Sequence, residues 1–523
     1  MGRVVFSLMR RIGCDNRGAV LLKFTIAILP LMSVAAVALD LSQILLVKQK
    51  LTNAIDAAAI AVGRHPELPD ADATTLAQSF VQAHYPTTAL GDLVAFSVVP
   101  TATQVDISAT ARVPTTFLKV LNYSSVDVTV FSRAVRQLRK VELVMVLDNS
   151  GSMGGTKLNS LKSAANALVD ILFGSAEVSE FVKIGLVPFS GAVNVGAGNI
   201  GWLDVARLSQ IHAEDVDLLP GQTLFDLFSG LTNLNWGGCV RARVGPGGYD
   251  LTDEPPNPLV GETLFVPYFA PDEPGTGNGP PSPEPTYHND YIDDSLIPGG
   301  LVARQRNPIK YLGAIVPNLG YNPPLGPNFN CPAAPVLPLT NVKTAIKSAI
   351  SAMAASGNTV IPEGLAWGWR VLSPGEPFTQ GTPYSDQSSI KVLVLLTDGA
   401  NNVAGNIGHN HSYFSAYGYA ASGHLGATDG SQTRQVLDAK TAALCSNIKA
   451  DKDGVTTDQD IYVYTISFQV TDGATRTMLE NCATPQTSCP GGNPCYFHSP
   501  TSSALETAFS SIALGINELR LSK

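Results

Sequence analysis

The stretch that most limits how this chain can fold is 141–153, VELVMVLDNSGSM. Val141 to Leu147 is a near-continuous apolar run with β-branched members, bounded by turn residues. Apolar side chains at every position of a short extended segment mean that both faces are buried, as in a parallel sheet covered by helices. The run stops at Asp148-Asn149-Ser150-Gly151-Ser152, so one carboxylate and two hydroxyls share one tight loop. Leu158, Leu161, Ala164, Ala165, Leu168 and Leu172 then keep helical spacing, and the N-terminus of that predicted helix points at the same loop. Hard oxygens clustered in this way suit Mg²⁺, which takes a few carboxylate or hydroxyl ligands and keeps several waters.

Two further segments repeat the chemistry. Ser356-Gly357-Asn358-Thr359 precedes a predicted helix beginning near Pro362. Ile390 to Leu396 is a second buried strand, and it runs into Thr397-Asp398-Gly399. Together Asp148, Ser150, Ser152, Thr359 and Asp398 resemble the metal-ion-dependent adhesion site of von Willebrand factor A (VWA) domains. The resemblance implies that the serines and the threonine bind a cation directly or through water, and that the aspartates supply charge. One metal position then stays open for a partner's carboxylate. Mg²⁺ is the expected cation, with Mn²⁺ or Ca²⁺ as alternatives. The family's fold sets these loops at the carboxyl ends of parallel strands, where open α/β sheets bind ligands.

At 523 residues the chain is long enough for more than one domain. Its net charge of −9 argues against a general nucleic-acid surface. The charge is uneven: Arg3, Arg10, Arg11 and Arg17 open the chain, while 250–294 holds ten acidic residues and no Lys or Arg. Such an acidic stretch reads as solvated loop. Of seven cysteines, Cys14 precedes the first apolar segment and six follow it. An even set on one side of a membrane fits an oxidising compartment. No Cys-x-x-Cys spacing suggests zinc. Connectivity cannot be read from sequence; proximity favours Cys239–Cys331, Cys445–Cys482 and Cys489–Cys495, with buried free thiols as the alternative.

Residues 18–39, GAVLLKFTIAILPLMSVAAVAL, are long enough to span a bilayer. Lys23 can snorkel, and membrane helices tolerate a kink such as Pro30. The arginines before the span predict a cytoplasmic N-terminus and an exported remainder. A cleaved signal peptide is the rival, with Ala36-Val37-Ala38 as its cleavage site. Against it, Leu41, Ile44, Leu45, Val47, Leu51, Ile55 and Ala58 continue the helical spacing, as if one long helix leaves the membrane. Arg17-Gly18-Ala19-Val20, Leu39-Asp40 and the Ala-rich run from Asn53 to Ala59 resemble the N-terminal region of TadE/TadG-like proteins, pilin-like components of tight-adherence (Flp) pilus machines. Prepilin-type members usually carry Glu five residues after the cleavage-site Gly. Lys23 stands there in this chain, which favours an unprocessed anchor.

The expected organisation is therefore a basic cytoplasmic tail (1–17), a transmembrane helix (18–39), a small α+β pilin-like domain (40–138) and a doubly wound, mostly parallel α/β VWA domain (139–523). In the second of these domains, a Pro/Gly-rich insertion spans 194–338. Trp236, Phe265, Tyr268, Phe269, Tyr287, Tyr291, Tyr311 and Tyr321 suggest that the insertion packs, because a structureless loop of that length inside a domain is unexpected. VWA-bearing TadG-like proteins carry similar insertions, with a comparable Trp-x-Gly-Cys and a later Cys-Pro.

Other clusters read as ordinary. His409, His411 and His424 lie in a Gly-rich loop and could form a second metal site, though loop histidines are more often solvated. Asp290, Asp293 and Asp294 lack the spacing of a helix–loop–helix calcium loop. Asp451, Asp453 and Asp458 look like a polar turn. No nucleophile elbow, phosphate loop or dinucleotide fingerprint occurs. The expected protein is an inner-membrane, single-pass bacterial component with its bulk in the periplasm. It is not an enzyme, and it takes neither nucleic acid nor a small-molecule substrate. Its partner is a protein of the pilus or secretion machine that offers an Asp or Glu to the metal. Alternatives are a surface adhesin using the same metal, and a metal-dependent hydrolase, for which no general base is visible.

Overall fold

The computed structural model describes residues 17–65, 68–86, 91–101, 104–135, 139–275, 286–405, 408–454, 459–490 and 493–521. Arg3, Arg10, Arg11, Cys14 and Asp458 lie outside the described residues, as does the side chain of Lys23. The chain divides into Met1–Leu138 and Arg139–Lys523.

The first unit is built on one helix, α1 (Arg17–Gly63), 47 residues long with Pro30 inside it. Its segment from Pro30 is long and apolar enough to cross a membrane. Leu31, Met32, Val34, Val37 and Leu39 are exposed. From Val47 onward the same helix buries a stripe of Leu51, Ala54, Ile55, Ala58, Ala59 and Val62. This stripe packs with Ala73, Ala77 and Val81 of α2 (Asp70–His84). The other partner is a three-stranded antiparallel sheet of β1 (Asp92–Pro100), β2 (Gln104–Pro114) and β3 (Ser125–Val135). Strict alternation along β2 sends Val105, Ile107, Ala109, Ala111 and Val113 into this core. Its other face carries cross-strand pairs: Asp106 with Arg133, Thr110 with Thr129 and Arg112 with Asp127. Asp40 is buried where the helix meets the β2–β3 connection. Its carboxylate accepts backbone N–H bonds from Thr116, Phe117 and Leu118 at 3.1, 2.8 and 2.6 Å.

The second unit centres on β4 (Lys140–Asp148), every residue of which after Lys140 is buried. Leu143, Met145 and Leu147 face α3 (Thr156–Phe173), while Val144 and Val146 face the opposite side. β5 (Val182–Phe189) pairs with β4 in parallel. Beyond β5 the sheet turns antiparallel through β6 (Val193–Asn194), which carries the chain into the insertion.

The insertion has little regular structure: α4 (Leu224–Gly230), β7 (Cys239–Val240), which pairs with β6, and α5 (Leu301–Arg306). It packs nonetheless. Phe265, Tyr268, Phe269, Tyr291 and Tyr311 belong to the same core as Val144 and Val146. The acidic stretch 250–294 departs from the solvated-loop expectation, since Asp250, Asp272, Glu273, Asp290 and Asp294 are buried. Three of them are tolerated because cations from elsewhere reach them. Lys310 bonds Asp272 at 2.7 Å, Arg304 bonds Asp294 at 3.1 Å and Lys440 bonds Asp250 at 2.6 Å. Glu273 takes backbone N–H bonds from His288 and Asn289, and burial pushes its carboxyl up to about 7.

The chain rejoins the sheet as β8 (Leu337–Thr340), antiparallel to β5. α6 (Lys343–Ala352) and α7 (Ile361–Leu372) follow. β9 (Ser389–Thr397) then enters on the other side of β4, and β10 (Ile461–Phe468) and β11 (Tyr496–Ser499) extend the parallel sheet outward. α3, α6 and α10 (Ser502–Leu521) cover one face. α7, α8 (Thr433–Lys449) and α9 (Gly473–Cys482) cover the other. This is a doubly wound α/β sheet with an antiparallel edge. Cys239 is bonded to Cys331, Cys445 to Cys482 and Cys489 to Cys495.

Candidate metal site at the carboxyl edge of the sheet

The direction of winding changes at β4, since β5 lies to one side of it and β9 to the other. A crevice opens outside the strand ends at such a switch point. Asp148 ends β4 and Asp398 follows β9, so the topology delivers both carboxylates there.

Asp148 is fully buried. Its Oδ1 accepts the Ser150 backbone N–H at 2.8 Å, and its Oδ2 accepts the Thr397 hydroxyl at 2.7 Å. Burial, with Asp398 beside it, pushes the Asp148 carboxyl up to about 6. The Ser150 and Ser152 hydroxyls lie 3.0 Å apart, and Ser152 donates to Asp398 Oδ1 at 2.6 Å. The other Asp398 oxygen accepts from Lys157 Nζ, also at 2.6 Å.

The 356–359 loop is tied to this turn through its backbone. Ser356 N–H donates to Asn149 O at 2.8 Å, and Gly151 N–H donates to Gly357 O at 2.9 Å. Gly357 has φ +82°, and a Cβ there would fall 2.9 Å from Asn330 Oδ1. Only glycine lets the loop lie so close to the insertion. Two residues on, Thr359 is buried and exchanges backbone bonds with Asn402, just beyond Asp398. The five residues singled out in the sequence thus come from three loops that are hydrogen-bonded to one another.

All the side-chain donors of this set are oxygens, which fits a hard cation. Both polar atoms of the buried Asn149 amide also lack a hydrogen-bond partner among the described residues. Sequence reasoning passed over two participants. Thr397 sits beside Asp398 and was legible as a further hydroxyl. Lys157 lies in the first turn of α3, where the helix dipole disfavours a cation, so its position already called for a nearby acid.

The other clusters behave differently. His409 bonds Tyr287, His411 bonds the Thr428 carbonyl and His424 pairs with Glu214 at 3.0 Å, so the three imidazoles take separate partners. Asp293 accepts the Ser295 N–H, while Asp294 is held by Arg304 and Lys310. Asp451 and Asp453 gather with Asp460, their oxygens within 4.8 Å of one another.

Residues 18–65 match the Flp pilus-assembly TadE/G-like family. The TadE/G-like segment is α1 and its immediate end; it stops before α2 and far short of the site. No curated protein matches the chain. Among solved structures it is similar to the pilus adhesin SpaC from Lactobacillus rhamnosus GG (12% identity, TM-score 0.30, 83% of this chain and 35% of that one). It is also similar to the vWF domain of the type V pili tip protein Mfa5 from Porphyromonas gingivalis (10% identity, TM-score 0.32, 74% and 97%). A third likeness is to the PilB minor pilin from Streptococcus sanguinis (13% identity, TM-score 0.31, 82% and 79%). The chain spans about a third of the length of the pilus adhesin. The fold assignment rests on the strand order and not on these likenesses.

Proposed function

We propose that this protein is a membrane-anchored interaction component of a tight-adherence (Flp) pilus machine, and that it captures a partner's carboxylate through a divalent cation. The observation that carries the reading is the meeting of Asp148, Ser150, Ser152 and Asp398 in one hydrogen-bonded cluster, with the Thr359 loop tied to it. Asp148, Ser150, Ser152, Thr359 and Asp398 would hold the cation, with Mg²⁺ the first choice. Bound there, the cation would act as a Lewis acid with a place for one further oxygen ligand. The chain's own part is to hold the donors rigidly and to keep Asp148 out of water. The TadE/G-like segment supports the pilus context, and the exposed apolar part of α1 supports anchoring in a membrane. The proposed placement of the bulk in the periplasm follows from the arginines that precede the span. Binding rather than turnover is the role proposed, because the metal-ion-dependent adhesion site that these five residues resemble is a binding site.

The test is capture of pilus components by the full chain with Mg²⁺, with EDTA and with Asp148→Ala. Capture should be lost in both of the latter. Undiminished capture in either would end the metal-docking reading.

A further inference from the structure

We propose that Lys157 is a tethered counter-cation that sets the charge of the site, weakening cation binding and strengthening capture of an anionic partner. The inference rests on the proposed metal reading and adds a residue outside the donor set.

The geometry is direct. Lys157 Nζ lies 2.6 Å from Asp398 Oδ2, while Asp398 Oδ1 takes the Ser152 hydroxyl. Asp398 is fully enclosed and Lys157 is 27% exposed, so the pair is shielded on the acid's side and open on the amine's. Among the described residues no other cationic side chain forms an ion pair with Asp148 or Asp398. Helical geometry offers no reason for the lysine: a cation in the first turn of α3 opposes the helix dipole. Its partner is the site itself.

Charge counting gives the consequence. Asp148 and Asp398 carry two negative charges when ionised, and Lys157 cancels one. A divalent cation then leaves the site with one net positive charge, which a single carboxylate neutralises. Without the ammonium the loaded site would already be neutral, and an anionic partner would gain less from docking. Before loading, the same ammonium repels the incoming cation across a few ångströms of partly desolvated protein, where one charge shifts affinity markedly. Lys157 therefore trades cation affinity for partner affinity.

The experiment titrates Mn²⁺ into the full chain in detergent by calorimetry, then titrates acetate into the Mn²⁺-loaded protein. Lys157→Gln should bind Mn²⁺ about tenfold more tightly, the factor that about 1.4 kcal/mol represents, and should hold acetate several-fold more weakly. Lys157→Arg, which keeps the charge, should bind both as the native chain does. A merely structural lysine would leave the glutamine variant with unchanged or weaker Mn²⁺ binding, and that result overturns the inference while the proposed function stands. Tighter Mn²⁺ binding with unchanged acetate affinity overturns the partner half. Failure of every variant to take up Mn²⁺ removes the metal reading and this inference together.

Discussion

Asp148 is where the chain accepts an unfavourable residue state. A fully buried carboxyl raised to about 6 holds its proton in mildly acid solution, and a proton and a cation compete for the same oxygens. The folded value lies above the usual unfolded one of about 4. Without metal, the group's contribution to stability is therefore complete below that value and is lost as pH rises through about 6. On the proposed reading, a divalent cation would remove the loss by displacing the proton. The rise in melting temperature caused by Mg²⁺ should be clear at about pH 7.5 and should disappear near pH 5. Scanning fluorimetry with and without the ion would check this, and an equal rise at both pH values would exclude Asp148 as a ligand. The five residues were legible as a set because Asp148 and Asp398 close apolar strand runs, while Ser150, Ser152 and Thr359 stand in the turns that precede helical patterns. Lys157 and Thr397 were passed over although each carried a signal, a cation in the first turn of a helix and a hydroxyl beside Asp398, because nothing in the spacing says which neighbour will bond an aspartate.

Among the elements, α7 shows what fixes the site's floor. Gly364 and Gly368 lie four apart and face the sheet. A Cβ at Gly364 would fall 2.6 Å from the Phe189 ring, and one at Gly368 would run into Val146. The helix therefore rides against β4 and β5 more closely than alanine allows. Gly364→Ala and Gly368→Ala should each destabilise by about 1–3 kcal/mol in denaturant unfolding. Gly473→Ala, with open space around it, should change stability by less than about 0.5 kcal/mol. The two-faced strands Val141–Leu147 and Ile390–Leu396 were readable as parallel core, since their apolar residues are unbroken. The insertion was not readable beyond the fact that it packs. It is held by aromatic rings and buried ion pairs between residues far apart in sequence, and neither leaves a period. Its Cys239–Cys331 bond closes a separation of 92 residues. Replacing both cysteines with serine should cost about 4.6 kcal/mol by the chain-entropy estimate. The first cleavages in limited proteolysis should then move into 194–338.

For the whole molecule, the proposed anchoring turns on the N-terminal helix. Its exposed Leu31, Met32, Val34, Val37 and Leu39 need a cover that the described residues do not supply. Deleting 18–39 should shift the protein from carbonate-resistant membranes to the soluble fraction, as blotting of fractionated cells would show. Retention in the membrane would count against this helix as the anchor. That one helix runs on past the span was legible in the unbroken spacing from Leu41 to Ala58. That Asp40 would be roofed by the 116–118 turn was not, because its three donors lie more than seventy residues away.

The length of α1 has a mechanical meaning. At about 1.5 Å per residue its 47 residues make a rod of about 70 Å, more than twice the thickness of a bilayer's oily layer. The rod's upper part is at the same time the spine of the first folded domain, with Asp40 clamping the junction. No slack segment intervenes, so on the proposed anchoring this domain is not leashed to the membrane but mounted on it. A pull on the domain would be felt directly by the lipid-embedded end, as a load is by a post set in its socket.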